Sequence, residues 1–185
     1  MLEIRREAGA LDGTQWHAAG APSGYMTDPV SDAALTGAAF VRHLGDARFA
    51  SLRALRQLLR ALDAERVAIG VLDGSGTRLH EELVWSSGFG RCGESERDMA
   101  LSRFTDDLAV WQHGTALSLL VDIDVSSEAW QDVPCNQLLL VRGPNHGAGC
   151  PVFVAQLRKI LNLPEGAAHA ISLLLNEYSQ RRVAA

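Results

Sequence analysis

The stretch from Phe49 to Trp85 constrains the fold more than any other, because the period of its apolar residues changes within it. Phe49, Leu52, Leu55, Leu58, Leu59 and Leu62 recur at steps of three and four, with Arg48, Arg53, Arg56 and Arg60 mostly between them. That spacing predicts an amphipathic helix with an apolar stripe and a basic outer face, ending near Asp63-Ala64. Arg66 to Leu72 (RVAIGVL) is a short apolar run rich in β-branched residues, which predicts a buried strand. Asp73-Gly74-Ser75-Gly76-Thr77 follows; glycines tolerate positive φ and an Asp bonds its own backbone, so this is hairpin-turn chemistry. Leu79, Glu81, Leu83 and Trp85 are then expected on one side of a second strand, with His80, Glu82 and Val84 on the other. A helix packed on an antiparallel hairpin is the expected nucleus.

The remaining length is enough for one domain with a real core: 185 residues, 47% hydrophobic and 21% charged. The N-terminal residues 1–30, punctuated by Gly9, Gly13, Gly20, Pro22, Gly24 and Pro29, read as an extended arm that Trp16, Tyr25 and Met26 can pin. Residues 31–185 read as a single α+β domain. Ser31 or Asp32 can cap a helix to about Leu44, with Leu35, Ala38, Ala39, Phe40 and Leu44 as its apolar side and Gly45 as its stop. Ser95 is expected to start a later helix, with Leu101, Phe104, Leu108 and Trp111 on one face. Ala116–Ile123 and Gln137–Arg142 read as strands, Pro151–Leu161 as a helix with Val152, Phe153, Leu157, Ile160 and Leu161 buried, and Glu165–Val183 as the last helix. The sum is a largely antiparallel sheet of at least four strands flanked by helices.

Several function classes are disfavoured at this level. A formal net charge of −5 without a long basic stripe argues against direct nucleic-acid binding. No window approaches about 18 consecutive apolar residues, so no membrane span is expected, and the N-terminus carries no secretory h-region. The three cysteines, Cys92, Cys135 and Cys150, are odd in number and widely spaced, which suits a reducing cytoplasm better than a disulfide framework.

The candidate chemistry is sparse. His146 and Cys150 share one loop, and with Cys92 and Cys135 they offer four ligands of the kind zinc accepts, or a Cys–His nucleophile pair; no C-x-x-C spacing supports either, and buried thiols beside a loop His fit the same pattern. Ser86–Gly93 (SSGFGRCG) follows a strand as a phosphate cradle would, but lacks P-loop spacing. Asp122, Asp124, Glu128 and Asp132 lack calcium-loop spacing, and His80, Glu81 and Glu82 read as exposed charge before they read as acid–base machinery. Trp85, Phe89, Phe104, Trp111 and Trp130 lie where they would wall a pocket between sheet and helices, or fill an ordinary core. No cofactor is identified.

The unit from Leu52 to Gly88, helix–strand–DGSGT–strand, resembles the opening of a GAF or PAS-type sensory domain. QLLLVRG followed by PVFVAQLRKILNLPEGAAHAISLLLNEYSQRR is similar to the last strand and closing helices of such modules in bacterial one-component regulators. The likeness spans roughly Ala47 to Arg182. It implies an antiparallel sheet clasped by helices, a pocket for a small molecule or protein partner, and dimerisation through the terminal helices, 151–183. Those regulators usually continue into a helix-turn-helix and this sequence ends at Ala185, so DNA binding is not implied. The expected function is a non-enzymatic, cytoplasmic, homodimeric sensory or regulatory domain. The alternatives are a thiol- or zinc-dependent enzyme built on Cys92, Cys135, His146 and Cys150, and a protein-interaction adaptor or chaperone.

Overall fold

The computed structural model describes residues 28–74, 78–87, 92–94, 98–100, 111, 115–123, 136–145, 149–159, 161–164 and 166–183. Of the expected arm over 1–30, residues 1–27 lie outside them, as do the tip of the first hairpin at 75–77, residues 88–91 of the expected glycine loop 86–93, and the segments 101–110 and 124–135. So do Phe89, Phe104, Trp130, Cys135 and His146.

Among the described residues there are three helices, α1 (Pro29–His43), α2 (Ala47–Ala61) and α3 (Ala167–Val183). The seven strands are β1 (Ala64–Leu72), β2 (Arg78–Ser86), β3 (Cys92–Glu94), β4 (Asp98–Ala100), β5 (Ser118–Asp122), β6 (Gln137–Arg142) and β7 (Cys150–Leu157). They form one antiparallel sheet in the order β3-β2-β1-β7-β6-β5, with β4 also paired to β2. The expected α+β class and its helix-on-hairpin nucleus are therefore present: α2 packs on both β1 and β2.

The local chemistry of each element is legible. Asp28, not Ser31 or Asp32, caps α1: its carboxylate accepts from the backbone N–H of Val30 and Ser31, and Pro29 sits in the first turn, where it costs no hydrogen bond. Asp46 caps α2 through the Phe49 N–H at 2.9 Å. Asp63 takes a positive φ of 50° in the tight link from α2 to β1, a conformation Asp tolerates better than most residues. Its carboxylate accepts from the Lys159 ammonium at 2.8 Å.

Helix faces differ from the expected stripes in an instructive way. α1 buries Val30, Ser31, Ala34, Gly37, Ala38 and Val41, leaving Leu35 and Leu44 exposed. It lies between α2 and α3, and small residues let the axes approach: a Cβ on Gly37 would stand 2.5 Å from the Ala54 Cβ. Phe49 of α2 is exposed, and the buried face is Ala50, Ser51, Ala54, Leu55, Leu58 and Leu59. The arginines between them are not simply solvated, since Arg53 lies 4.7 Å from the Phe40 ring centroid and Arg56 5.6 Å from that of Trp85. Arg42 of α1 pairs with Glu177 of α3 and holds that carboxyl below its ordinary range.

The segment expected as a helix at Pro151–Leu161 is the strand β7, placed between β1 and β6. A central strand is buried on both faces and reads as a continuous apolar run, as Val152-Phe153-Val154-Ala155 does. The start of a helix expected at Ser95 is also overturned, because Asp98–Ala100 is β4, paired with Arg78, Leu79 and His80.

The sheet has two buried faces. On the helix side, Val67, Ile69, Leu83, Leu139, Val141, Phe153, Ala155 and Leu157 share one core with α1, α2 and α3. On the outer side, Leu72, Leu79, Leu138, Leu140, Val152 and Val154 cluster with Val121, Ile123 and Trp111. A β-bulge changes which residue of β2 faces where. Ile69 pairs with Leu83 but Gly70 pairs with Glu81, so Glu82 is the extra residue. Leu83 and Trp85 therefore join the helix-side core, while Glu81 shares the outer face with Leu79. There Glu81 forms a bidentate pair with Arg66, both contacts at 2.5 Å and both side chains buried. Glu82 turns the other way, accepting from the Tyr178 hydroxyl at 2.8 Å and from Arg182 at 2.7 Å, which pins the end of α3.

Gly70 is required at the bulge: a Cβ there would lie 2.4 Å from the His80 carbonyl oxygen. Gly70→Ala is expected to destabilise the domain by about 1–3 kcal/mol, the usual cost of overpacking, read as a lower urea midpoint. Removing only one partner of the buried pair, as in Glu81→Leu, should cost about 3–5 kcal/mol because it strands the Arg66 charge. The double variant Arg66→Met/Glu81→Leu should recover most of that loss in the same urea titration.

Candidate functional site

Where β1, β6 and β7 end together, the outer face opens into a cleft of about 390 Å³. Among the described residues it is lined by Leu72, Asp73, Gly74, Trp111, Arg142, Gly143, Asn145, Gly149 and Cys150. Register builds it. Cys150 pairs with Leu72 across β7 and β1, and Arg142 pairs with Val152 across β6 and β7, so side chains at the three strand ends converge. Gly149, at a φ of +117°, brings the incoming chain against β1; a Cβ there would sit 2.4 Å from Val71 Cγ1.

Trp111 is the central feature. It is only 3% exposed, yet its indole Nε1 has no hydrogen-bond partner. The Arg142 guanidinium lies 5.8 Å from its ring centroid. Asp73 closes the hairpin, accepting from the Arg78 N–H at 3.2 Å while its own N–H donates to the Arg78 carbonyl at 2.9 Å. The Cys150 thiol donates to the Gly143 carbonyl at 3.6 Å or to that of Pro151 at 3.7 Å. Burial pushes this thiol above its ordinary pKa, against a smaller lowering by Arg142.

The predicted aromatic set is split between the two faces. Trp85 packs into the helix-side core under Arg56 and does not reach the cleft, whereas Trp111 walls it. Trp85 thus lies among the helix-side core residues, and this cleft lies on the opposite face of the sheet. Of the predicted zinc set, Cys135 and His146 lie outside the described residues, and Cys92 and Cys150 stand apart. Cys92 stands opposite Trp85, which stands opposite Val67 and so level with Ala155, three strand intervals and five residues from Cys150. At about 4.8 Å per strand and 3.3 Å per residue the two Cα atoms are roughly 20 Å apart, too far to share one ion. Among the described residues no group of three or more His, Cys, Asp or Glu is placed to hold a metal. Of His80, Glu81 and Glu82, the two glutamates serve the structural pairs with Arg66, Tyr178 and Arg182.

Residues that sequence reasoning did not single out are Arg142, Leu72, Asn145 and Arg66; Glu81, read as exposed charge, is buried against Arg66. Arg142 carried a signal, a lone charge ending an apolar strand before Gly143-Pro144. Glu81 carried none, since its face depends on the bulge. With its pKa raised, the Cys150 thiol should remain protonated where an ordinary cysteine begins to ionise, near pH ~8.5. Alkylation of the Cys150 peptide by iodoacetamide, followed by mass spectrometry, should be slow at neutral pH and rise only at a pH above that range. Fast labelling at pH 7 would contradict the assignment.

No protein-family model and no curated protein sequence matches the chain. Solved structures do match its shape. The phycoerythrobilin-bound GAF domain from a cyanobacterial phytochrome superposes with a TM-score of 0.61 at 9% identity, covering 83% of this chain and 97% of that one. The GAF domain of Acinetobacter phosphoenolpyruvate-protein phosphotransferase gives 0.56 at 15% identity, covering 86% and 98%. Free methionine-R-sulfoxide reductase from Neisseria meningitidis, in complex with its substrate, gives 0.58 at 13% identity, covering 84% and 92%. At these identities the likeness is one of fold. On that likeness and on its own sheet and helices, the chain is a GAF-like α+β domain.

Proposed function

We propose that this chain is a sensory or regulatory domain that binds a small molecule in the cleft at the Cys150 end of the sheet. The observation that carries the reading is the cleft itself, walled by Leu72, Trp111, Arg142 and Cys150 where β1, β6 and β7 meet. The cleft, at about 390 Å³, falls in the range of small-molecule sites. The phytochrome GAF domains, bound to phycocyanobilin and to phycoerythrobilin, support the reading as examples of this fold that hold a small molecule.

The connection to the helices supports a regulatory role. Gly143 borders the cleft, and its backbone lies so close to α3 that a Cβ would meet the Leu175 Cβ at 2.8 Å. A ligand that shifts the β6–β7 connection therefore presses on α3. That helix passes the signal to a partner protein or to a second copy of the chain. The expected dimer surface narrows to α3, where Leu173 is 52% exposed, because 150–157 is a central strand. The domain works in the cytoplasm, where an unpaired thiol such as Cys150 persists. Among the described residues no helix is long and apolar enough to cross a membrane.

Native mass spectrometry of the purified chain should show a small-molecule adduct, or should show one after incubation with a metabolite extract. A chain that stays unliganded throughout, with no perturbation of Leu72, Arg142 or Cys150 in NMR spectra, would overturn the proposal. Sedimentation at micromolar concentration should give a dimer that Leu173→Glu converts to monomer; a strict monomer removes the second copy as the recipient of the signal.

A further inference from the structure

We infer that the outer face of α2 docks an acidic helix of a partner protein, with carboxylates taken by Arg53 and Arg56 and an apolar residue set against Phe49. This surface is separate from the cleft and does not depend on a small molecule there. Phe49, Arg53, Arg56 and Arg60 follow one another at steps of four, three and four. They therefore form one stripe along α2, about 16 Å long at a rise of about 1.5 Å per residue. All four are exposed, Phe49 at 61%. Aromatic residues and arginine are the types enriched where protein surfaces meet.

The charge on this stripe is not compensated within the fold. α2 contains no Asp or Glu. Among the described residues no carboxylate pairs with Arg53, Arg56 or Arg60. Arg42, Arg158 and Arg182, also exposed, are by contrast paired with Glu177, Glu65 and Glu82. Two carboxylates flank the stripe and keep their charge. Asp46 caps α2 through the Phe49 N–H, and Asp32 lines a shallow groove together with Arg60. Arg53 and Arg56 lie between these limits, and both are steadied by a ring: Phe40 at 4.7 Å for Arg53 and Trp85 at 5.6 Å for Arg56. A ring contact restrains the long side chain and occupies no carboxylate, so less ordering remains to be done when one arrives. The occupant follows from charge and length. A nucleic acid presents a phosphate about every 1.7 Å and favours a long row of cations, whereas this row is closed by carboxylates at both ends, in a chain of net charge −5. A helix with carboxylates at steps of three and four matches the spacing of Arg53 and Arg56, and its next turn reaches Phe49.

The test is an NMR titration of the ¹⁵N-labelled full chain at about 150 mM salt, where weak surface attraction is screened. The probe is an acetylated, amidated alanine-based helical peptide with glutamates at steps of three and four and one leucine in the same row. Its glutamine counterpart, a single-stranded oligonucleotide and phosphatidylglycerol-containing vesicles are titrated beside it. The glutamate peptide is expected to shift the Nε–H resonances of Arg53 and Arg56 and the Phe49 amide, and the glutamine peptide to bind about tenfold more weakly or not at all. Arg53→Gln and Arg56→Gln should each weaken the glutamate peptide about threefold, and the double variant about tenfold, since exposed ion pairs are individually modest. The lysine variants, which keep the charge but lose the fork, should lose less. Arg78→Gln, an exposed arginine on β2, should change nothing. Retained amide dispersion shows that each variant is folded. Equal binding of the glutamine peptide, or an unchanged affinity in the double variant, overturns the inference. So does tighter binding of the oligonucleotide or the vesicles at the same arginines, or the absence of any shift on α2 with every probe.

Discussion

The structure depends on the pairing of β1 with β7. The two strands are hydrogen-bonded in antiparallel register from Ala64–Leu157 to Leu72–Cys150, and both are buried on both faces along most of that length. A sheet whose centre is apolar on both sides must be covered twice. The helices cover one side, where Val67, Ile69, Phe153 and Ala155 meet Leu55, Leu58, Ile171 and Leu174. The other side is buried as well, and it is there that polar groups are admitted: Arg66 with Glu81, Gln156, Trp111 and Arg142. The helix-side layer is thus a packed core, and the cleft opens on the outer layer.

That division explains which parts of the fold were legible in the sequence. α2 was legible because its environment is asymmetric, one face on the sheet and the other carrying arginines, which imposes a 3.6-residue period. The hairpin was legible because Asp73-Gly74 has a local conformational reason to turn. β7 was not, because symmetric burial erases the period: Val152-Phe153-Val154-Ala155 satisfies a buried helix and a buried strand equally. Pro151, read as a helix's first residue, instead sits in the ladder opposite Val71. α1 was located but its face was misjudged, since hydrophobicity favours Leu35 and Leu44 as anchors. The interhelix distance instead selects Ala34, Gly37 and Ala38.

The site was less legible for a related reason. A strict two-residue alternation along β2 puts Leu79, Glu81, Leu83 and Trp85 on one face. One extra residue, Glu82, breaks that rule, and everything after it faces the other way. Trp85 thereby joins the helix-side core, and Glu81 enters the outer face, where only a charged partner makes its burial tolerable. No property of the residues singly announces a bulge. The nearest local hint is Gly70, which allows the close approach to His80. The convergence of Trp111, Arg142 and Cys150 depends on strand order, which their spacing in the sequence does not encode.

The outer face also carries a cost in stability. A buried donor without a partner raises the free energy of the folded state relative to the unfolded one, in which water satisfies the same indole, by about 1–3 kcal/mol. Gln156, 1% exposed on the outer face with its Oε1 unpartnered, adds a second cost of the same kind. Both groups sit on the outer face; the helix-side layer of the sheet is apolar.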